Sequence, residues 1–456
     1  RINVTINGIP LNDSESQGVW WVNMPDFTSS VENIQIQRGV GTSTNGGSAF
    51  GASINLQTNG LQKEAYCITN NTIGSFSTIK NNIQFGTGLL NNKFTFDGRL
   101  SRINSEGYID RAFSKLKSMY LQSTYYGNNY ILKALTFAGN ERTYQAWNGV
   151  PFNYLENNRT FNSYTYENEI DDYTQSHYQI HYTQQINNAT NFNLAMHYTN
   201  GYGYYEQEKL EEKFIDYGLE NIIISNDTIF TTDLIRRKWL NNDFGGLTYS
   251  LNHTTSSMEL IFGGGSNKYS GQHYGNIIWA EYSSNANFNH QYYWNKAEKI
   301  DHNIYAKANY EYNNSTNIYA DLQRRRINYS FEGLDENGNV APQEISLTFF
   351  NPKIGVFYDL NSTQCIYASF AIANKEPNRN DYIESTPISR PKHETLYDTE
   401  IGYKQKGENI TLGLNLYYMD YKNQLVLTGQ INDVGAYTRT NIDQSFRQGI
   451  EIESSI

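Results

Sequence analysis

The sequence is poor in cysteine, in positive charge and in long apolar runs, and each of these shortages argues against a class of protein or site. Only two of its 456 residues are cysteines, Cys67 and Cys365, which are too few for a disulfide framework or a zinc site. The formal net charge of −11 argues against a nucleic-acid-binding protein, because such proteins need a basic face. No apolar run reaches the roughly 20 residues that a transmembrane helix requires.

The chain is rich in aromatic residues but poor in other apolar residues. They make up 14% of the chain, with 38 tyrosines, whereas the apolar fraction is only 38%. Aromatic residues combined with many Asn, Ser, Thr and Gly favour strands and turns. The chain opens with "RINVTING" and closes with "GIEIESSI", both within strand-like patterns, so we expect both ends to be cuts through a longer protein.

A period of two residues dominates the chain from Lys93 onward. Residues 93–101, 177–183, 192–199 and 409–418 each alternate an apolar or aromatic side chain with a polar one. Such segments have one apolar and one strongly polar face. A sandwich core tolerates this pattern, and so does a membrane barrel with lipid outside and water inside.

The lengths of the connections favour the barrel, because short turns alternate with long excursions. Loops beyond about 15 residues are uncommon in compact domains, whereas membrane barrels have short turns on one side and long loops on the other. We expect about 16 strands between Glu64 and Ile456, with aromatic girdles at their ends. The short turns are 89–92, 126–129, 187–190, 254–257, 313–316, 360–363 and 406–409, and the long excursions are 141–174, 201–242, 267–301, 327–348, 375–394 and 427–445.

The stretch "ENIQIQRGVGTSTNGGSAFGASINLQT", residues 32–58, places many small residues between two strand-like segments. A dinucleotide fingerprint would need a third glycine where Thr44 stands, and a P-loop would need a lysine after Gly46. The glycines are therefore expected to serve turns and close backbone approach.

This stretch resembles the end of the plug domain of TonB-dependent outer-membrane receptors. Those plugs carry a Val-Glu-x-Ile strand, an Arg-Gly pair, a small-residue stretch ending in Phe/Tyr-Gly, and a Gly/Ala-x-Ile-Asn strand. Segments such as "NPKIGVFYDL" and "IYASFAIANKEPNRNDY" are similar to late barrel strands of the same receptors. The matching plug residues are Val31, Glu32, Ile34, Arg38, Gly39, Phe50, Gly51, Ala52, Ile54 and Asn55.

The resemblance implies an all-β, antiparallel, up-and-down transmembrane barrel, nominally of 22 strands, with an α+β plug domain in its lumen. It implies that residues 1–60 are the C-terminal part of the plug and that residues 61–456 are the barrel, truncated at its C-terminal end. It also implies a bacterial outer-membrane location, outer-membrane lipid as surroundings, TonB as a partner through a segment absent from this chain, and a surface lipoprotein as a further partner.

The same resemblance implies TonB-dependent import of a scarce small molecule, with an iron–siderophore complex as the first expectation. Cobalamin, haem and oligosaccharide remain alternatives, as does a passive porin or a surface-binding barrel. No motif indicates an enzyme, and no resident cofactor or metal is expected. Glu32 and Arg38 are predicted to anchor the plug to the barrel wall.

Tryptophan supplies the predicted ligand site, because its ring can stack on sugars or on aromatic siderophore groups. Adjacent tryptophans stand in the loop of residues 12–27, and the others stand in the long excursions. The predicted ligand-binding residues are Trp20, Trp21, Trp147, Trp239, Trp279 and Trp294.

Three other features are expected to be structural. His177 and His181 are expected to be polar lumen residues, because they would lie about 13 Å apart on one face of a strand. The segment Asp335–Asn339 has a composition that suggests a calcium loop but lacks the downstream Glu, so we expect a plain turn. The run Arg324–Arg326 is expected to be a solvated face.

Overall fold

The computed structural model describes residues 2–47, 49–334, 343–383, 385, 390–431 and 437–455. The segment Asp335–Asn339 lies outside the described residues. Within them the chain forms one large sheet, one small sheet that packs against it, and a short hairpin, β12 (Ile222–Ile224) with β13 (Asp227–Ile229). No helix in the described ranges is long and apolar enough to cross a membrane.

The large sheet, here called the wall, has 16 strands, and each pairs with its neighbours along the chain in antiparallel fashion. This confirms the predicted meandering antiparallel wall and the predicted strand number. Its strands are β5 (Tyr66–Gly74), β6 (Thr78–Gly86), β7 (Phe94–Ser105), β8 (Ser114–Tyr126), β9 (Tyr130–Tyr144), β10 (Ile170–Asn187), β11 (Thr190–Lys213), β14 (Thr231–Thr254), β15 (Met258–Ala280), β16 (His290–Asn313), β17 (Thr316–Gly333), β18 (Gln343–Asn361), β19 (Gln364–Lys375), β20 (Glu394–Lys406), β21 (Thr411–Ile431) and β22 (Tyr437–Ser455).

The small sheet belongs to the N-terminal unit, defined here as the described residues up to Thr58. Its strand order is β2-β1-β4-β3, and β1 pairs with β4 in parallel. The strands are β1 (Ile2–Ile6), β2 (Ile9–Pro10), β3 (Val31–Arg38) and β4 (Ala52–Thr58), and single 3-10 turns stand at Trp21–Asn23, Phe27–Ser30 and Ser43–Asn45.

The wall curves around the N-terminal unit. Unit side chains or backbone groups contact Lys80 on β6, Tyr269 on β15 and Glu453 on β22, so the contacts run from the beginning of the wall to its last described strand. An apolar cluster joins Met24 and Phe27 of the unit to wall residues Tyr120, Leu135 and Phe137. The unit therefore lies on the inner face of the wall.

The outer face of the wall is apolar where the inner face is polar. Successive side chains of a strand point to opposite faces, so the residues on either side of an inward residue point outward. Ile180 and Met196, which are cross-strand partners, are 46% and 48% exposed and point away from the unit. Exposed apolar side chains on one face of an antiparallel wall are typical of a surface that meets lipid.

The strands are longer than the sequence patterns predicted. Much of the excursion of residues 201–242 is strand, because β11 continues to Lys213 and β14 begins at Thr231. The loop between them, apart from the small hairpin, is residues 214–230. After Tyr205 both faces of β11 are polar, and β14 is apolar on both faces at Leu234 and Ile235, so the period-two signal disappears while the hydrogen-bonded ladder continues.

Candidate functional site

A buried carboxylate in the N-terminal unit is the centre of the contact between unit and wall. Glu15 lies in the loop that follows β2, and its side chain is 3% exposed. Asp13 orders this loop, because its Oδ1 accepts hydrogen bonds from the backbone N–H groups of Glu15 at 3.1 Å and Ser16 at 2.7 Å. The Glu15 side chain is thereby directed at the wall.

Three wall side chains hold the Glu15 carboxylate. The hydroxyls of Tyr269 and Tyr329 each donate a hydrogen bond of 2.7 Å, and His273 Nε2 lies 2.6 Å from Oε2. A fourth group, Arg379 Nη1, lies 3.5 Å from Oε1. Both oxygens of the carboxylate therefore have partners that favour its charged form.

The charged form of Glu15 is stabilised despite its burial. Burial alone would raise the pKa of Glu15, but the positive charges of His273 and Arg379 and the hydrogen bonds from His273 and Tyr269 outweigh it. The pKa of Glu15 is held well below its ordinary value. The group is a permanent anion at physiological pH.

A second buried carboxylate, Glu376, follows β19 and binds two wall cations. Arg325 Nη1 lies 2.9 Å from Glu376 Oε2, and Lys299 Nζ lies 3.3 Å from Oε1. Lys299 also donates to the backbone oxygen of Ser14 at 2.7 Å. Arg325 is bound on its other side by Asp301, with Nη2 2.6 Å from Oδ2.

Arg325 corrects the expectation that the run Arg324–Arg326 is a solvated face. Its side chain is 1% exposed because it lies between Asp301 and Glu376 on the inner face of the wall. Arg324 and Arg326, one position to either side, point outward and are exposed. Alternation along β17 therefore divides one charge run into a buried ion pair and two surface cations.

The connection between β19 and β20 folds inward and closes on the Glu15 loop. Gln17 Nε2 donates to the backbone oxygens of Glu376 at 3.1 Å and Pro377 at 3.0 Å. The backbone N–H of Arg379 donates to the Glu15 backbone oxygen at 3.0 Å. A short helix, α1 (Arg379–Ile383), starts there. We call this arrangement, residues 13–17 with 376–379, the latch.

A third carboxylate holds the opposite side of the N-terminal unit. Asp26 contacts Lys80, Arg99 and Ser101 of the wall, with Ser101 Oγ 2.6 Å from Oδ2. Burial raises its pKa, but the hydrogen bonds from Lys80, Ser101 and others lower it more, and the net pKa is about 2. The apolar cluster around Phe27 lies beside this contact.

The glycine- and serine-rich stretch runs close to the wall. A side chain at Gly47 would place its Cβ 2.9 Å from Arg325 Cδ, and Gly46 has a φ of 100° that favours glycine. Ser43 N donates to Asp321 Oδ2 at 2.8 Å, and Lys353 Nζ donates to Ser43 Oγ at 2.8 Å. Small residues here permit direct backbone contact with inner-face charges.

The two predicted anchors have different partners. Arg38 reaches the wall, because its Nη1 lies 2.8 Å from Glu453 Oε1 on β22, although its side chain is 74% exposed. Glu32 accepts a hydrogen bond from the backbone of Gly60 at 2.8 Å and so holds the segment that leads into the wall. The anchoring roles of both residues stay predictions.

The structure does not bring the six predicted tryptophans together. Trp20 and Trp21 are 61% and 48% exposed, so neither is packed in the core of the N-terminal unit. Trp147 lies against Tyr205, with ring centroids 5.3 Å apart. Tyr205 is the cross-strand partner of Lys238, which is buried on the inner face.

The other three predicted tryptophans point outward. Trp239, Tyr274 and Trp294 are aligned as cross-strand partners, and the rings of Trp239 and Tyr274 stack at 5.9 Å. Each of these three stands one position from an inward residue of its strand. Trp279 is the cross-strand partner of the outward residue Ile235, because a register shift separates that pair from the pair of Arg236 with Ile277. An outward row of aromatic rings is typical of an interfacial girdle, so these positions do not support ligand contact.

Sequence reasoning missed the carboxylates at the centre of this site. Glu15, Asp26 and Glu376 each stand in a polar loop whose sequence, such as "NDSESQG" or "NKEPNRND", resembles ordinary solvated turns. Their partners are distant in sequence, 258 residues away for Glu15 and His273.

No group of three or more His, Cys, Asp or Glu that could hold a metal ion occurs in the described part of the chain.

Comparison with known proteins supports the architecture. Residues 69–456 match the family described as TonB dependent receptor-like, beta-barrel. No curated protein matches the chain. Among solved structures, the FpvAI receptor in its complex with pyocin S2 is similar, with a TM-score of 0.72, 13% identity, 99% of this chain covered and 62% of that chain.

Two further solved structures are similar to this chain in fold. The ferric yersiniabactin uptake receptor FyuA of Yersinia pestis has a TM-score of 0.69 and 10% identity over 99% of this chain and 67% of its own. The unliganded ferric citrate transporter FecA has a TM-score of 0.72 and 16% identity over 99% and 65%. At these identities the likeness concerns the fold, and the chain spans about two thirds of each structure's length.

Proposed function

The chain belongs to the TonB-dependent receptor family, whose barrels lie in the bacterial outer membrane, and from this membership we propose that the protein imports a scarce ligand across that membrane. An iron–siderophore complex is the first candidate. We propose further that residues 1–60 are the C-terminal part of the plug and residues 61–456 the barrel. TonB supplies the energy in this proposal.

The observation that carries the proposal is the way the N-terminal unit is held. Buried carboxylates on opposite sides, Glu15 and Asp26, bind wall cations and hydroxyls, and the unit lies across the inner face. A passive pore needs an open lumen, whereas this unit occupies it. Polar contacts can be exchanged for water when the unit moves, so the arrangement suits a gate that opens under force and closes again.

The cargo is proposed from similar structures and from the exposed aromatic pair. FyuA is described as a ferric yersiniabactin uptake receptor and FecA as a ferric citrate transporter, while OprC, with a TM-score of 0.74, is described as a copper transporter. Trp20 and Trp21 offer two exposed rings close in sequence to the latch. Stacking on an aromatic or planar chelator is the contact that such rings provide.

Uptake in cells tests the proposal. The full-length gene is deleted, and iron-limited cells are supplied with a panel of ⁵⁵Fe-loaded siderophores of catecholate, hydroxamate and carboxylate type. We expect at least one complex to enter only when the gene is restored and only when TonB is present. Uptake that persists without TonB would contradict active import.

A second arm separates the cargo from the mechanism. The same strains are supplied with cobalamin, haem and oligosaccharides at growth-limiting concentrations. TonB-dependent uptake of one of these, with no uptake of any iron complex, would replace the siderophore assignment and leave the import mechanism in place. Conductance of the purified full-length receptor in planar bilayers checks the passive alternative, which requires a permanently open pore.

A further inference from the structure

One segment of the N-terminal unit lies between cavities on the inner face of the wall. It covers residues 42–47 and is here called the flap, and its single 3-10 turn lies against β16 and β17. On the latch side a cavity of about 40 Å³ is lined by Gly47 and by the latch residue Asp13. On the other side two larger cavities, of about 270 and 670 Å³, are lined by Thr44 and Thr42 respectively. The flap therefore stands between the space beneath the latch and the space toward the short turns.

The inner face of β16 passes all three cavities. A Cβ at Gly47 would lie 3.5 Å from Asn303 Nδ2, so the flap lies across this face. Ten residue steps from Lys299 to Asn309 span about 33 Å. The strand thus provides a polar track from the latch to the short-turn end of the wall. In order from the smallest cavity to the largest, its lining residues are Lys299, Asp301, Asn303, Tyr305, Lys307 and Asn309.

The middle of the flap is held to the wall by hydrogen bonds. Asp321 Oδ2 accepts one from Ser43 N at 2.8 Å and one from Thr42 Oγ1 at 3.2 Å. Lys353 Nζ donates to Ser43 Oγ at 2.8 Å. All six flap residues are Thr, Ser, Asn or Gly, so their side chains bury no large apolar surface. Water can replace such contacts at small net cost, because it offers equivalent hydrogen bonds.

The two ends of the flap are fixed by apolar contacts. Val40 before it and Phe50 after it pack in one cluster with Leu396 and Tyr421 of the wall. The ring centroids of Phe50 and Tyr421 are 6.4 Å apart. On the opposite side of the unit, the apolar cluster around Phe27 binds the wall separately. A segment with fixed ends and a polar middle can swing while the rest of the unit stays in place.

We propose that the flap is the gate of the import path, and that the imported ligand passes along the inner face of β16 when the flap moves away from Asp321 and Lys353. The side chains of the track offer hydrogen bonds in place of those that a hydrophilic ligand loses with water. This inference rests on the proposed import function. It adds which part of the N-terminal unit moves and which part of the wall the ligand follows.

Reversible cross-links in the full-length receptor test the proposal. Cys67 and Cys365 are first replaced by Ser. Thr42→Cys with Asp321→Cys can then be joined by a bis-methanethiosulfonate with a short spacer, because Thr42 Oγ1 lies 3.2 Å from Asp321 Oδ2. The probe is the ⁵⁵Fe-loaded siderophore that the unaltered receptor imports. Its uptake should fall at least about tenfold when the flap is linked and recover on reduction, while its binding to the cells stays unchanged.

A matched cross-link on the opposite side of the unit is the control. Thr58→Cys with Gln122→Cys joins the unit to β8, where Thr58 Oγ1 lies 3.3 Å from Gln122 Oε1. This link should change uptake by less than about twofold. Equal losses with both links would show that the whole unit moves, and unchanged uptake with the flap linked would place the path elsewhere. Either result overturns the proposal, whereas absence of TonB-dependent uptake by the unaltered receptor would refute import itself and the gate with it.

Cysteine labelling gives a second readout that leaves Asp321 in place. Ser43 and Thr58 are 1% and 3% exposed, so a cysteine at either position is protected at rest. Ser43→Cys should react with a small maleimide at least about tenfold faster when the ⁵⁵Fe-loaded siderophore and TonB are both present, and Thr58→Cys should keep its rate. An unchanged rate at Ser43→Cys during import, or equal acceleration at both positions, would overturn the proposal. Retained heat-modifiable migration of each variant confirms that its barrel is folded.

Discussion

Replacing Glu15 by Gln should release the latch while leaving the wall intact. The change keeps the size of the side chain but removes the charge that faces His273 and Arg379. Hydrogen bonds to a charged group contribute about 1.5–3 kcal/mol each, and loss of one partner of a buried ion pair costs about 3–5 kcal/mol. Because the substituted amide would still accept hydrogen bonds through its oxygen, we expect about 3 kcal/mol, or roughly 150-fold in the local opening equilibrium.

Hydrogen exchange of the full-length receptor, followed by mass spectrometry, measures this opening. The amide of Arg379 donates to the Glu15 backbone oxygen, so it reports on the latch directly. We expect peptides covering residues 11–19 and 376–383 to exchange about 100-fold faster, while peptides around Asp26 keep their protection. Unchanged exchange in the latch, or an equal increase throughout the N-terminal unit, would refute the reasoning.

Two further variants sharpen the test of the latch. Glu298→Gln makes the same change at an outward carboxylate that is 39% exposed and paired with Lys296, and it should leave latch exchange unaltered. Arg379→Gln combined with Glu15→Gln should cost less than the sum of the single changes, because the second change removes a charge that the first leaves uncompensated.

The pH dependence of the latch follows from the sign of the Glu15 pKa shift. Its pKa is lowered in the folded protein, so its contribution is fully present above the unfolded-state pKa of about 4.3. That contribution is lost only as the pH falls through the lowered value. Titration of Glu15 itself should therefore cause no loss of latch protection between pH 7 and pH 5, once exchange rates are corrected for intrinsic chemistry.

Three predictions concern the remaining contacts. Asp26→Asn should weaken its side of the N-terminal unit by roughly 2 kcal/mol, because the pKa of Asp26 is lowered to about 2 in the folded protein. This contribution is present above about pH 4 and is lost as the pH falls through about 2, and hydrogen exchange of residues 24–30 measures it. Trp20→Ala or Trp21→Ala should reduce affinity for the imported ligand about tenfold in an equilibrium binding assay, and unchanged affinity in both would remove the pair from the site. Arg38→Gln should alter thermal stability by less than about 1 kcal/mol, because its pair with Glu453 is exposed; a larger loss would contradict this.

The wall could be predicted from the sequence because its signal is local. Alternation over ten residues around Phe192 or Leu412 identifies a strand and its lipid face without any knowledge of its neighbours. The same signal fails toward the loop, where β11 is polar on both faces after Tyr205 and β14 is apolar on both faces at Leu234 and Ile235. The predicted excursion of residues 201–242 was too long for this reason.

The candidate site could not be predicted, because it depends on register between distant segments. Arg325 is separated from Asp301 by 24 residues and from Glu376 by 51, and nothing near it in sequence distinguishes it from Arg324. The outward direction of Trp239 and Trp294 likewise follows only from their cross-strand pairing with Tyr274. Composition shows that tryptophan is present, whereas topology decides which side of the wall it faces.

The length of the strands has a consequence for how cargo would be selected under the proposed import function. The 24 residues of β14 extend about 80 Å, or about 60 Å along the membrane normal at a tilt of about 40°. With an apolar band of about 25 Å, some 35 Å of hydrogen-bonded wall rises beyond the lipid. Under the proposed import function, arriving molecules would pass along this extended wall before they reach the N-terminal unit. The wall would then select by size and shape first, and chemical recognition would act only on molecules that have already passed.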